Sequence, residues 1–541
     1  MAANQTLLDT ALAHHAQGRL QQAEQIYRQI LTHDPDNADG LHLLGMVAFQ
    51  SGDSETAVAL IRKAIAIKPD AASYHANLGN VLQQQGHARD AAASYLQALR
   101  IKPGLAEVHV NLGNVFLAGK DFDSAVTWYE SALALNPAIP EAHKNLGDAF
   151  LMQEKPELAI AAYERAIELN PFYVDAMIEL GSVLRGRGDL DRALRHLARV
   201  RELQPENATA AFREALVRLL QGDWAAGWSC YEQRWRSPDH ATPMRDNPQP
   251  FWQGERLSSG RLLLWPEQGV GDEIMFAGLV PDVAKTGNRC ILECDARLEP
   301  LFRRSLLRFP DIEVTSDRSS ALDPALEIAA QLPIGSLPRL FRTDLAAFAS
   351  GSFAYLQADP AKTAEFRSRY GEGALRIGIA WHSTNAKTGR ARSVVLETLS
   401  PLFVQPGVRW ISLQYGPMDE LKDEVACARA PVLVDEDVDQ LAEIDGFAAQ
   451  IASLDLVITI DNTTAHLAAA LGRPVWVLLP FAPDWRWLQE GDGSPWYPSM
   501  RLFRQRKRGE WEAAVRRVAE SLAEFAAAAV AETADADSFR E

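Results

Sequence analysis

Three short segments of this chain hold residue types that could do chemistry. Gln268-Gly269-Val270-Gly271-Asp272-Glu273 joins two glycines, which let backbone approach a ligand closely, to two carboxylates just beyond the apolar run Leu262 to Trp265. Two readings stand for such a carboxylate: the N-cap of the adjoining helix, or a general base that takes a proton from a hydroxyl, with Asp272 or Glu273 in that role. Asp461-Asn462-Thr463-Thr464 follows the apolar run Leu456 to Ile460 and opens an alanine-rich helix that ends at Gly472. Free amides and hydroxyls at a helix N-terminus can hold a diphosphate; capping alone accounts for one of the four residues but not for the cluster. His466, in the first turn, is open between a structural histidine and a ligand contact. The third segment, His382 to Ser393, brings Lys387, Arg390 and Arg392 together with Ser383, Thr384, Thr388 and Ser393. It reads either as a solvated basic loop or as the means of neutralising a pyrophosphate leaving group.

All three segments follow apolar runs of strand length, so a parallel α/β arrangement is expected to position them at the carboxyl ends of its strands. Strands are expected at Leu262 to Trp265, Cys290 to Cys294, near Ile312 and near Leu326. Others are expected at Arg376 to Trp381, Arg409 to Gln414, Pro431 to Val434, Leu456 to Ile460 and Val475 to Leu479. A helix is expected over Glu273 to Ala284 and a terminal one over about Trp511 to Ala529. Proline-rich residues 237–258 read as a linker and 359–373 as a second junction. The α/β part therefore divides into 259–358 and 374–530, with an acidic, disordered tail at 531–541.

Residues 1–236 are of another kind. Pro35, Pro69, Pro103, Pro137, Pro171 and Pro205 stand 34 residues apart, the period of stacked helical hairpins. Leu-Gly pairs at 44–45, 78–79, 112–113, 146–147 and 180–181 share one position. Ala23, Ala57, Ala91, Ala125, Ala159 and Ala193 share another, with Tyr27, Tyr95, Tyr129 and Tyr163 four residues on. This is the tetratricopeptide pattern. A degenerate seventh copy, about Ala208 to Trp235, keeps Gly222 and Tyr231 but adds Trp224, Trp228 and Trp235, and reads as the repeat that seals the array against the next domain. Asn77, Asn111 and Asn145 recur at one position, and Asn80, Asn114 and Asp148 one turn later on the same face. Amides there suit a peptide backbone irrespective of its side chains. Asparagine is also ordinary at these places in generic repeats.

Composition narrows the classes. A net charge of −17 argues against nucleic acid as a partner. Cys230, Cys290, Cys294 and Cys427 are too scattered for a disulfide framework or a zinc site, and neither Asp435-Glu436-Asp437 nor Asp535-Ala536-Asp537 reads as a magnesium site. No metal and no cofactor is expected. The first twenty residues read as an amphipathic helix with neither a signal sequence nor a membrane span, which makes the cytoplasm the expected location.

These segments, together with Pro480-Phe481-Ala482-Pro483-Asp484-Trp485-Arg486-Trp487 and Ser494-Pro495-Trp496-Tyr497-Pro498, resemble tetratricopeptide-repeat protein glycosyltransferases of the O-GlcNAc-transferase and flagellin-modifying kind. Their catalytic half is of GT-B type, two Rossmann-like domains similar to those of the heptosyltransferases. The resemblance implies inverting, metal-independent transfer from a nucleotide sugar. Asp272 is then the base. The donor is held by His382, Ser383, Lys387, Arg392, Ser393, Asp461, Asn462, Thr463, Thr464, His466 and Arg486, with Lys387 or Arg392 as the cation on the diphosphate. It also implies that Asn77, Asn80, Asn111, Asn114, Asn145 and Asp148 line a groove for an acceptor protein. A transferase acting on a glycolipid and a non-catalytic scaffold that senses nucleotide sugar remain alternatives. UDP-hexosamine, CMP-nonulosonate and ADP-heptose stay open as donors.

Overall fold

The computed structural model describes residues 2–319, 323–349, 351, 354–371, 374–385 and 388–538. The chain divides into two compact units, Met1–Val183 and Leu184–Glu541.

The first unit is a series of antiparallel helix pairs: Ala2–Ala16 with Leu20–His33, Ala38–Gln50 with Ser54–Ile67, Ala72–Gln84 with Ala88–Ile101, Ala106–Ala118 with Phe122–Leu135, and Pro140–Met152 with Pro156–Leu169. Side-chain caps start several of them. Asn37 accepts from the Gly40 amide at 2.8 Å and Asp53 from that of Thr56 at 3.0 Å, and each satisfies an amide the helix cannot. Within three pairs, the glycine of the Leu-Gly dipeptide, Gly79, Gly113 or Gly147, makes room for the tyrosine of the next helix, and Gly45 does the same for Ile61. A Cβ at Gly79 or Gly113 would lie 2.4 Å from the ring of Tyr95 or Tyr129. The repeated Ala57, Ala91, Ala125 and Ala159 are wholly buried, because only a small side chain lets the helices cross this closely.

The second unit opens with helices of the same repeat, Leu190–Leu203, Ala208–Gln221 and Trp224–Tyr231, followed by the 3-10 turn Glu232–Arg236. Trp228 packs edge-on against Trp485 and Trp496, with centroids 5.3 and 6.3 Å away, and its indole donates to the Arg342 carbonyl at 2.8 Å. Arg234 is fully buried. It lies over the rings of Tyr231 and Trp235 and makes bonds of 2.8 and 2.7 Å to the two oxygens of Glu267. The degenerate copy is thus built into the α/β core.

Among the described residues ten strands come next: β1 Arg261–Trp265, β2 Cys290–Glu293, β3 Ile312–Thr315, β4 Ile328–Pro333, β5 Leu375–Ile379, β6 Val408–Ser412, β7 Val432–Leu433, β8 Leu456–Ile460, β9 Val475–Leu479 and β10 Met500–Arg504. They form two parallel sheets, of order β3-β2-β1-β4 and β10-β9-β8-β5-β6-β7. β8 and β9 are buried at every residue, as expected of parallel strands covered on both faces.

Several expectations need correction. The helix expected over Glu273 to Ala284 is two, Val270–Ala277 and Val280–Ala284, parted at Gly278 ahead of Pro281. The strand near Leu326 begins two residues later, at Ile328, because Pro324–Leu326 forms a 3-10 turn. Residues 237–258, read as a linker, also pack against the first sheet. The Trp252 amide donates to Gln331 and the Gln331 amide to Pro250, both at 2.9 Å, which lays the segment along the edge of β4. Residues 360–369, within the segment read as a junction, form a helix. Just beyond it, the Tyr370 hydroxyl bonds Asp435 and Gln450, both at 2.8 Å. β10 was not foreseen, and the last helix runs Glu512–Ser538, into residues read as a disordered tail. Among the described residues no helix is long and apolar enough to cross a membrane.

Candidate functional site

In the second sheet the chain leaves β5 to one side and β8 to the other, so the loops after these neighbouring strands flank a topological switch point, where open parallel sheets form a crevice. The loop after β5 is held open by one side chain. Gln414, wholly buried beyond β6, accepts from the amides of Trp381 and His382 at 2.9 Å and donates to the carbonyls of His382 and Tyr415 at 3.1 and 3.0 Å. Ser393 ties the far end, its hydroxyl accepting from the Ser383 amide at 2.9 Å and donating to the Gly389 carbonyl at 2.7 Å.

The loop after β8 runs straight into the helix Thr463–Ala470. Asn462 caps it, accepting from the Ala465 amide at 3.3 Å and from the Thr459 hydroxyl at 3.0 Å. The helix Val270–Ala277, which comes after β1 in the first sheet, approaches with its own N-terminus. A Cβ at Gly271 would lie 3.2 Å from the Thr463 hydroxyl, so glycine permits the two helix ends to meet. Both amide ends border one cavity of about 440 Å³, a size ordinary for a small-molecule site.

Of the candidate catalytic and donor-binding residues, Asp272, Ser383, Arg392, Asp461, Asn462, Thr463, His466 and Arg486 line this cavity. Four do not. Glu273, 4% exposed, turns to the Asp295 amide at 2.8 Å, and burial pushes its carboxyl up to about 7. His382 and Ser393 face into the loop they stabilise, and Thr464 is buried beneath it, with no partner for its hydroxyl among the described residues. Lys387 lies outside the described residues. Sequence reasoning quoted Gln268 and Asp484 within its segments but gave them no role, and it missed Tyr415, which lines the cavity as they do, and the part played by Gln414.

Charge is closely paired here. Arg392 Nε stands 3.2 Å from Asp461 Oδ2, while Arg486 contacts Asp272, Asp484 and Gln268. Burial raises the pKa of Asp461 above the usual carboxylate value, against the pull of Arg392. Burial also opposes charge on Asp484, but Arg486 and Arg392 outweigh it and hold that carboxyl low. His466 stacks on Trp487 at 5.1 Å; burial first, and Arg486 second, lower its pKa to about 3, so it is neutral at physiological pH. Asn462 Nδ2 and Arg486 Nε are buried without partners among the described residues. Among those residues no group of three or more His, Cys, Asp or Glu could hold a metal ion.

A second concavity, about 1280 Å³, lies within the first unit and is lined by Asn77, Asn111, Asn114 and Asn145. Asn80 and Asp148 do not line it. Asn80 accepts from the Tyr95 hydroxyl at 2.8 Å and from Asn111 Nδ2 at 2.9 Å. Asn114 accepts likewise from Tyr129 at 2.7 Å and Asn145 at 2.9 Å, and Asp148 accepts from Tyr163 at 2.7 Å. The inner row is a stitch between helices and between repeats.

Family models described as tetratricopeptide repeat match residues 14–80, 72–104, 140–173 and 178–227, and one described as TPR repeat matches 113–154. Protein FlbA of Caulobacter vibrioides is 34% identical over 346 residues, covering 60% of this chain; the chain spans only 56% of that relative's length. Among solved structures, Pseudomonas aeruginosa PilF is 23% identical over 39% of this chain and 95% of its own, with a TM-score of 0.36. YrrB, described as a TPR protein with an unusual peptide-binding site, is 26% identical over 32% of this chain and 89% of its own, with a TM-score of 0.29. Residues 14 to 227 are therefore an array of tetratricopeptide repeats, followed by a region of parallel-sheet α/β structure.

Proposed function

We propose that the second unit transfers a sugar from a nucleotide-sugar donor to a Ser or Thr hydroxyl of a protein bound by the repeats, with flagellin as the acceptor class that the sequence resemblance implies. The two parallel sheets are read as the two halves of a GT-B enzyme. One observation carries the reading: Asp272 shares a cavity of about 440 Å³ with the amide end of Thr463–Ala470 and with Arg392.

The donor phosphate lies on the N-terminal amides of Thr463–Ala470, where backbone N–H groups and the helix dipole favour negative charge. Asn462 Nδ2 and Arg392 supply further donors. Asp272 takes the proton of the acceptor hydroxyl, the oxygen bonds to the anomeric carbon, and the bond from that carbon to the phosphate oxygen breaks. Its electron pair leaves on the nucleotide, a diphosphate for a UDP or ADP donor and a monophosphate for a CMP donor, and attack from the opposite face inverts the centre. Glu273 faces the Asp295 amide, which leaves Asp272 as the base. In the repeats, Asn77, Asn111 and Asn145 bind acceptor backbone, and the inner row holds them in register.

Asp272→Asn tests the reading. Transfer from UDP-hexosamine, CMP-nonulosonate or ADP-heptose, whichever the protein turns over, should fall by about 10²- to 10⁴-fold while donor affinity survives. Undiminished transfer in that variant would remove the base and the mechanism with it.

A further inference from the structure

The described side chains around the cavity include three carboxylates, Asp272, Asp461 and Asp484, against two guanidiniums, Arg392 and Arg486, and both cations are already paired. A diphosphate arriving here must take a guanidinium away from a carboxylate. The two pairs differ in what that would cost. Asp461 is 4% exposed, so parting it from Arg392 strands a charge away from water. Asp272 keeps 21% of its side-chain surface exposed and accepts from the Gly269 amide at 3.2 Å, within the first turn of Val270–Ala277. It can leave Arg486 and still have water, an N–H donor and the positive end of a helix dipole.

Arg486 is built to exchange partners without losing its place. Asp484, two residues before it, accepts from its side chain and from its backbone amide at 3.2 Å, and the guanidinium lies 4.4 Å over the Trp485 ring. Gln268 accepts from Nη2 at 3.2 Å and is itself held by a 2.6 Å bond to the Tyr231 hydroxyl. Those contacts remain when Asp272 departs. The Nε–H is a buried donor with no partner among the described residues.

We propose that Arg486 is an exchangeable clamp on Asp272: a phosphate group bound at Thr463 takes over the Nη2 bond, and the released carboxylate is then free to accept a proton. Arg486 thereby acts as a positioning residue that ties the readiness of the base to occupation of the donor subsite. The function given to Asp272 rests on the transferase reading; the exchange itself does not.

Calorimetric titration of inorganic pyrophosphate into the full-length protein separates the two. Asp272→Asn removes the competitor for Arg486 and should tighten pyrophosphate about tenfold. In an Arg486→Gln background the same substitution should change affinity less than about twofold, whereas simple repulsion by Asp272 would persist there. A second measurement needs no variant: carbodiimide labelling of the Asp272 carboxylate, read by peptide mass spectrometry, should rise when pyrophosphate is added. Equal affinities for parent and Asp272→Asn, a gain that survives loss of Arg486, or labelling that is unchanged or falls would overturn the clamp and leave the transferase reading standing. Failure of pyrophosphate to bind both parent and Asp272→Asn would overturn both.

Discussion

The repeats and the α/β cavity treat polar side chains in opposite ways. In the first unit the inner ladder is closed on itself: Asn80 and Asn114 each accept one bond from a tyrosine of the same repeat and one from an asparagine of the next. Around the cavity, Asn462 Nδ2, Thr464 Oγ1 and Arg486 Nε are buried with no partner among the described residues. Buried polar groups left unpaired are costly, and they cluster where a ligand supplies the missing bond. Repetition lets one solution be copied down the array; a site that must receive something has to stay incomplete.

That contrast can be broken in order of size. The largest effect is expected at Glu273. Below about pH 4.5 its carboxyl is protonated in folded and unfolded chains alike. Between 4.5 and about 7 the unfolded chain loses the proton first, so stability falls, and above 7 the loss is complete. Glu273→Gln should remove a penalty of up to about 3 kcal/mol at pH 8 and none at pH 4, seen as a thermal-midpoint gap that widens with pH. A gap constant across that range would contradict the assignment. Next, Asn114→Ala deprives Tyr129 and Asn145 of their shared acceptor and should cost about 2 kcal/mol in denaturant unfolding of the repeats.

Thr464→Val reverses the sign: deleting a buried, unmatched hydroxyl should leave stability unchanged or raise it by about 1 kcal/mol. A loss larger than that would mean that the hydroxyl has a partner in solution. The finest test lies inside the repeats. The tyrosine partner stands fifteen residues upstream, and for Tyr27 that position is Leu12, which leaves its buried hydroxyl without a partner among the described residues. Tyr129→Phe should lose about 1 kcal/mol while Tyr27→Phe loses nothing. Equal effects at the two positions would show that the stitch contributes little.

The repeats were legible because their period is printed six times over, and the central strands because parallel sheets demand unbroken apolar runs such as Leu456 to Ile460. β10 escaped because Arg501 and Arg504 break up its apolar residues, so Met500–Arg504 offers no continuous apolar run. The cavity was half visible. Runs of glycine, threonine and arginine announce themselves, whereas Gln414 acts on a loop more than twenty residues away and matters only once β5 and β6 pair. The constant spacing of Asn80 to Tyr95, Asn114 to Tyr129 and Asp148 to Tyr163 was a signal present in the sequence that would have identified the inner row as internal.

Trp228 among Trp485 and Trp496, and Arg234 against Glu267, bear on how such chains can be recombined. An array exchanged at residue 236, where the periodicity fades, would import a foreign surface into the interior of the α/β region. Grafts that carry residues 190–236 along with the sheets keep that interior native, so in engineering the last hairpin has to be handled as part of the domain it precedes.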